Sequence, residues 1–134
     1  MISPARFVGG EKTRYFVRSV RTGREKKLLD ISPLRQEKGG FAFANRVISR
    51  AAEYPVVVVD EFGPIENSGS GFFRCLVSVS RKAESLVVTV RPELLSAAAE
   101  KLGAKKFRVI KISENGGIEK LISRTVKWLS KSKI

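Results

Sequence analysis

The chain has 134 residues, 43% of them hydrophobic and 29% charged, a composition that excludes a disordered chain, a collagen and a coiled coil. A chain of this length can bury a core without a disulfide or a metal, and no apolar run approaches the ~18 residues needed to span a bilayer. One cysteine, Cys75, and no histidine exclude an internal disulfide framework, thiolate or imidazole zinc sites, and catalysis through a Ser-His or Cys-His pair.

The opening Met1-Ile2-Ser3-Pro4-Ala5-Arg6 has no apolar segment of a signal peptide, so the expectation is a cytoplasmic protein that does not enter a membrane. One Gln, three Asn and a polar surface of Lys, Arg and Glu follow the composition of thermophile proteins. The net charge of +13 is uneven: residues 1–38 carry 10 basic and 4 acidic groups, residues 39–100 carry 6 and 7, and residues 101–134 carry 10 and 2. Two basic ends flank a near-neutral middle. Such a field attracts nucleotides, nucleic acid or an acidic partner; a solvated charged surface is the plainer reading of the same residues.

In chain order, the first 38 residues read as a β-meander forming an N-terminal hairpin extension. Arg6-Phe7-Val8, the turn Gly9-Gly10-Glu11, the alternating run from Tyr15 to Val20, and the turn Thr22-Gly23 before Lys27-Leu28-Leu29 carry this expectation. Lys38-Gly39-Gly40 bounds a loop, and residues 43–52 show helical spacing through Phe43, Val47, Ile48 and Ala51. Residues 39–134 then alternate strand and helix. Val56-Val57-Val58-Val59 predicts a strand buried on both faces. Residues 72–83 predict a helix after Ser68-Gly69-Ser70-Gly71, and residues 86–90 a second strand. Pro92 opens a helix whose apolar face is Leu94, Leu95, Ala98, Ala99 and Leu102, closed by Gly103. Residues 107–112 alternate as a third strand, and residues 118–129 form a last amphipathic helix. The expectation is one α/β domain: a mostly parallel sheet flanked by helices, with the antiparallel hairpin in front.

The segment Val56-Val57-Val58-Val59-Asp60-Glu61-Phe62-Gly63 carries the strongest chemical signal. It places two carboxylates at the carboxyl end of a parallel strand, where open α/β sheets bind ligands. In P-loop enzymes this is the Walker B position, whose Asp holds Mg²⁺ and whose following Glu can activate water. Two solvated carboxylates at the start of a loop are the plainer alternative. Cys75 and Trp128 read as packing residues and Glu66 as a loop or capping group.

Beyond that pair the chain resembles the P-loop nucleoside-triphosphatase family of the thermophilic type. Gly9-Gly10-Glu11-Lys12-Thr13-Arg14-Tyr15 and Gly23-Arg24-Glu25 are similar to its hairpin. Val57-Val58-Val59-Asp60-Glu61-Phe62-Gly63-Pro64-Ile65-Glu66, followed by Gly71-Phe72, is similar to its extended Walker B segment. Val87-Val88-Thr89-Val90-Arg91 resembles the next strand. The family's opening strand and phosphate loop, GxxxxGK[ST], have no counterpart. Lys12-Thr13 has the right ending, but Arg6 and Glu11 stand where both glycines are required, so this segment reads as a hairpin turn.

The resemblance implies Mg-dependent hydrolysis of a nucleoside triphosphate, with Asp60 as the metal carboxylate and Glu61 as the catalytic base. Thr89 and Arg91 would contact the nucleotide. Without a phosphate loop the chain is expected to be inactive alone, or half of a split enzyme whose other polypeptide supplies the Walker A element. The alternative is a non-catalytic basic protein that binds nucleic acid. Losing the Walker A strand opens a gap between the strands at 86–90 and 107–112. The expectation is that the latter slides over to pair with the former, and that stripped apolar surface makes a homodimer.

Overall fold

Alternation of apolar and charged residues in the first third produces a four-stranded antiparallel sheet. Its strands β1 (Ala5–Val8), β2 (Glu11–Arg18), β3 (Glu25–Asp30) and β4 (Arg35–Gln36) lie side by side in chain order. The computed structural model describes residues 1–104, 107–112 and 117–131, within two units, Met1–Ala104 and Lys105–Ile134. Gly9 and Gly10, with φ of 57° and 85°, make the tight turn that sets Val8 opposite Glu11. A two-residue hairpin turn of this hand needs φ > 0 at both central positions, which glycine adopts without strain. Glu25 of β3 ties three strands together by pairing with Arg6 of β1 (2.8 Å) and Arg18 of β2 (2.6 Å). The short β4 is the one strand of this meander that periodicity does not announce.

The first helix, α1 (Lys38–Ala51), begins five residues before its apolar repeat, so Lys38-Gly39-Gly40 is helix and not a bounding loop. The reason is steric. A Cβ at Gly40 would overlap the Lys27 carbonyl oxygen and stand 2.8 Å from the Lys27 carbonyl carbon, so only glycine lets the helix start against the β3 backbone. Phe41, Phe43, Ala44 and Ile48 are then buried, and α1 packs on β2, β3 and a later helix, α3 (Phe73–Lys82).

Strand β5 (Val56–Phe62) pairs in parallel with β6 (Ser85–Val90), as the β-branched runs predict. The expected burial on both faces is not found. Val57, Val59 and Phe62 are at most 2% exposed, whereas Val56 and Val58 are 36% and 44% exposed. The buried face belongs to one apolar cluster with Ile48 of α1 and Leu76 and Val79 of α3. Residues 1–3 join the two sheets. The Met1 nitrogen donates to the Val58 carbonyl (2.8 Å) and the Asp60 N–H to the Met1 carbonyl (3.1 Å), a parallel pattern along the second edge of β5. Ile2 and Arg18 meanwhile exchange both backbone hydrogen bonds. Between β5 and β6 lie α2 (Pro64–Asn67) and α3; after β6 come a 3₁₀ turn (Pro92–Leu94) and α4 (Leu95–Lys101), closed by Gly103 at φ 64°.

In the unit Lys105–Ile134, α5 (Gly117–Lys131) forms where helical spacing places it. Residues 107–112 form no strand. The expected third parallel strand is therefore absent, and with it the repair by pairing of 107–112 with 86–90. The architecture is mixed α/β, with a four-stranded antiparallel sheet and a two-stranded parallel one, and is not mostly parallel. No helix among the described residues is long and apolar enough to cross a membrane.

Candidate functional site

Asp60 and Glu61 lie inside β5 near its carboxyl end, and not at the start of a loop. The ladder to β6 runs regularly to Val59↔Val88 and resumes at Phe62↔Val90, so two residues of β5 face Thr89 alone. This bulge re-aims the side chains at the strand end. The peptide between Asp60 and Glu61 is cis. Asp60 Oδ1 accepts the Thr89 hydroxyl at 2.5 Å, and Oδ2 accepts the Ser3 N–H at 3.1 Å. The Ser3 hydroxyl donates to the Asp60 carbonyl oxygen. Asp60 is thus held from both sides of its strand. Glu61 Oε1 lies 3.7 Å from Arg91 Nη2, with both side chains partly exposed.

The four residues singled out from sequence, Asp60, Glu61, Thr89 and Arg91, are brought to one end of the parallel pair. Three of them, Asp60, Glu61 and Arg91, line a cleft of about 440 Å³. Lys12 and Tyr15 of β2 and Glu66 of α2 also line it.

Glu66 is 5% exposed. Its Oε2 accepts the Gly63 N–H at 3.2 Å, closing the first turn of α2 as a capping group should. Its Oε1 is buried without a hydrogen-bond partner. Gly71, at φ 64°, makes room: a Cβ there would overlap Glu66 Oε1 and come within 2.9 Å of Ile65. Burial pushes the carboxyl up to about 7, opposed by backbone N–H groups of Glu66, Gly63 and Phe72 and assisted by the charge of Glu61. The sequence reading of Glu66 as a cap describes its hydrogen bond but misses its burial. Its place at the end of Asp60-Glu61-Phe62-Gly63-Pro64-Ile65-Glu66 signals a cap and not burial. Lys12, Tyr15 and Ser3 carry no comparable signal, because the turn and the strand pairing bring them to the site.

Cys75 packs against the apolar cluster and accepts a weak contact from the Ser49 hydroxyl at 3.4 Å. Among the described residues, no group of three or more His, Cys, Asp or Glu side chains is placed to hold a metal ion. A cation here would have to bring oxygen ligands of its own. Asp60 and Thr89 are hard oxygen donors, and Mg²⁺ commonly takes one or two protein carboxylates and completes its shell with water and phosphate oxygens. The donor set fits that mode of binding. Comparison with protein-family models, with curated proteins and with solved structures found no match to this chain.

Proposed function

We propose that the cleft at the end of β5 is a Mg-nucleotide site of the P-loop nucleoside-triphosphatase kind, lacking its own phosphate loop. One observation carries the reading: Asp60 and Thr89 are hydrogen-bonded at the carboxyl ends of adjacent parallel strands, with Glu61 and Arg91 lining the cleft beside them. In this reading Asp60 would hold the metal, Thr89 would contact the terminal phosphate, and Arg91 would balance phosphate charge. Glu61 accepts the proton of the attacking water. The metal would neutralise the developing phosphate charge. The order of elements supports the same reading, since residues 1–3 and β6 flank β5 on its two edges. Among the described residues β5 is the only strand paired with β6, which leaves the other edge of β6 for a strand carrying the Walker A element.

The isolated chain is expected to show no turnover of ATP or GTP with Mg²⁺, because phosphoryl transfer depends on positioning that a missing cradle cannot supply. A polypeptide carrying the Walker A strand and loop is expected to restore turnover, and Glu61→Gln to abolish the restored rate. Turnover by the chain alone that Glu61→Gln abolishes would overturn the requirement for a second polypeptide.

A second reading has its own observation. In the unit Lys105–Ile134, the described cations Arg108, Lys111, Arg124, Lys127 and Lys131 are all exposed. If they form a nucleic-acid surface, affinity for RNA or DNA falls steeply with salt, in proportion to the phosphates neutralised. Binding that is absent at low ionic strength assigns them to solvated surface instead.

A further inference from the structure

The cations of the β-sheet divide into two groups. Arg6 and Arg18 pair with Glu25, Arg14 pairs with Asp30, and Lys27 pairs with Asp30 and Glu37. Lys12, Lys26 and Arg35 have no carboxylate within ion-pair distance among the described residues. Of these three, Lys12 alone lines the cleft that also holds Asp60 and Glu61. Its ammonium rests instead on aromatic faces, 5.9 Å from the centre of the Tyr15 ring and 6.0 Å from that of Phe7. Such contacts orient a cation without neutralising it. The Gly9-Gly10 turn and the register shift after Arg6 set this arrangement by placing Phe7 opposite Lys12.

We infer that Lys12 is a polyphosphate-binding residue of this cleft, acting with Arg91 on the anionic part of a metal-bound nucleotide. The inference rests on the nucleotide reading of Asp60 and Glu61 given above. A cleft lined by carboxylates at a strand end and by a cation with no acidic partner suits a ligand that carries both signs of charge. A metal polyphosphate is such a ligand: its cation faces carboxylates and its oxygens face Lys12 and Arg91. The only ion pair of Arg91 among the described residues is the 3.7 Å approach to Glu61, so its remaining donors are open to phosphate oxygens. Lys12-Thr13 is not the end of a phosphate loop, for the turn before it supplies no cradle of amides. The hairpin nonetheless carries a lysine to the cleft where the phosphate-loop lysine is missing.

The test is titration of the full chain with Mg-tripolyphosphate and with MgATP at low salt, followed by amide chemical shifts that register millimolar binding. Lys12→Ala is expected to weaken both ligands about tenfold, the size of one charge-assisted hydrogen bond. Lys12→Arg is expected to restore most of that loss. Lys26→Ala, which removes an exposed lysine of β3 outside the cleft, is expected to change the affinity less than twofold. Equal effects of Lys12→Ala and Lys26→Ala, with Asp60→Asn still removing the Mg-dependent part, overturn the role of Lys12 and leave the nucleotide reading standing. Absence of any binding by the unaltered chain, or binding indifferent to Mg²⁺ and to Asp60→Asn, overturns both.

Discussion

Replacing Gly40 by alanine is expected to destabilise the chain by on the order of 3 kcal/mol, the upper part of the usual range for overpacking. The added methyl would overlap the Lys27 carbonyl oxygen and lie 3.0 Å from Leu28 Cα. Both are backbone atoms of a paired strand, so no side chain can swing aside to relieve the overlap. The helix must lift from β3 and draw Phe41 and Phe43 out of the core. Gly39 is the internal control. It lies in the same turn of α1 with nothing within 4 Å of the position a Cβ would take. Gly39→Ala is therefore expected to be neutral or to stabilise by up to ~1 kcal/mol through helix propensity. Urea midpoints of the two variants read the contrast directly. Equal midpoints would show that the close approach of α1 to β3 does not exist in solution.

The stability of the unaltered chain is expected to fall as pH rises from about 4.5 to about 7, because of Glu66. Burial raises its carboxyl pKa from 4.5 to about 7 in the folded state. Below 4.5 both folded and unfolded chains hold the proton, and Glu66 contributes no pH dependence. Between the two values the unfolded chain has released the proton while the folded chain retains it, so stability declines with pH. Above about 7 both forms are ionised and the loss is complete, on the order of 3 kcal/mol by the usual conversion. Glu66→Gln keeps an oxygen acceptor for the Gly63 N–H and cannot ionise. It is expected to remove this decline, so that the variant gains on the parent from pH 5 to 8. Parallel stability profiles for the two proteins would place Glu66 in water and not in the packed turn between β5 and α3. The group also bears on the cleft, because the Gly63 N–H that it holds is two residues from Glu61.

Much of the N-terminal sheet is determined by local sequence. Gly9-Gly10 can adopt the two positive φ values of a tight hairpin turn, and that alone registers β1 against β2. Helices α3 and α4 follow from apolar residues at helical spacing, from Pro92 at the start and from Gly103 at the end. The position of Asp60 and Glu61 near the end of a parallel strand is likewise local: four β-branched residues make the strand, and the carboxylates follow them. Tertiary structure decided the rest. A run of four valines does not reveal whether one face or two will be covered, because periodicity has no contrast to read; contact with α1 and α3 leaves Val56 and Val58 exposed. The alternation of residues 107–112 specifies two faces of a strand, but a strand also needs an edge to pair with, and the described residues show none formed. Gly40 looks like a loop glycine until β3 is laid against it. Lys12 and Glu66 are an ordinary surface lysine and an ordinary capping glutamate by sequence. Strand pairing carries the first to the cleft, and the packing around Gly71 buries the second. Charge and burial at such positions depend on segments far apart in the chain, and no local pattern encodes that distance.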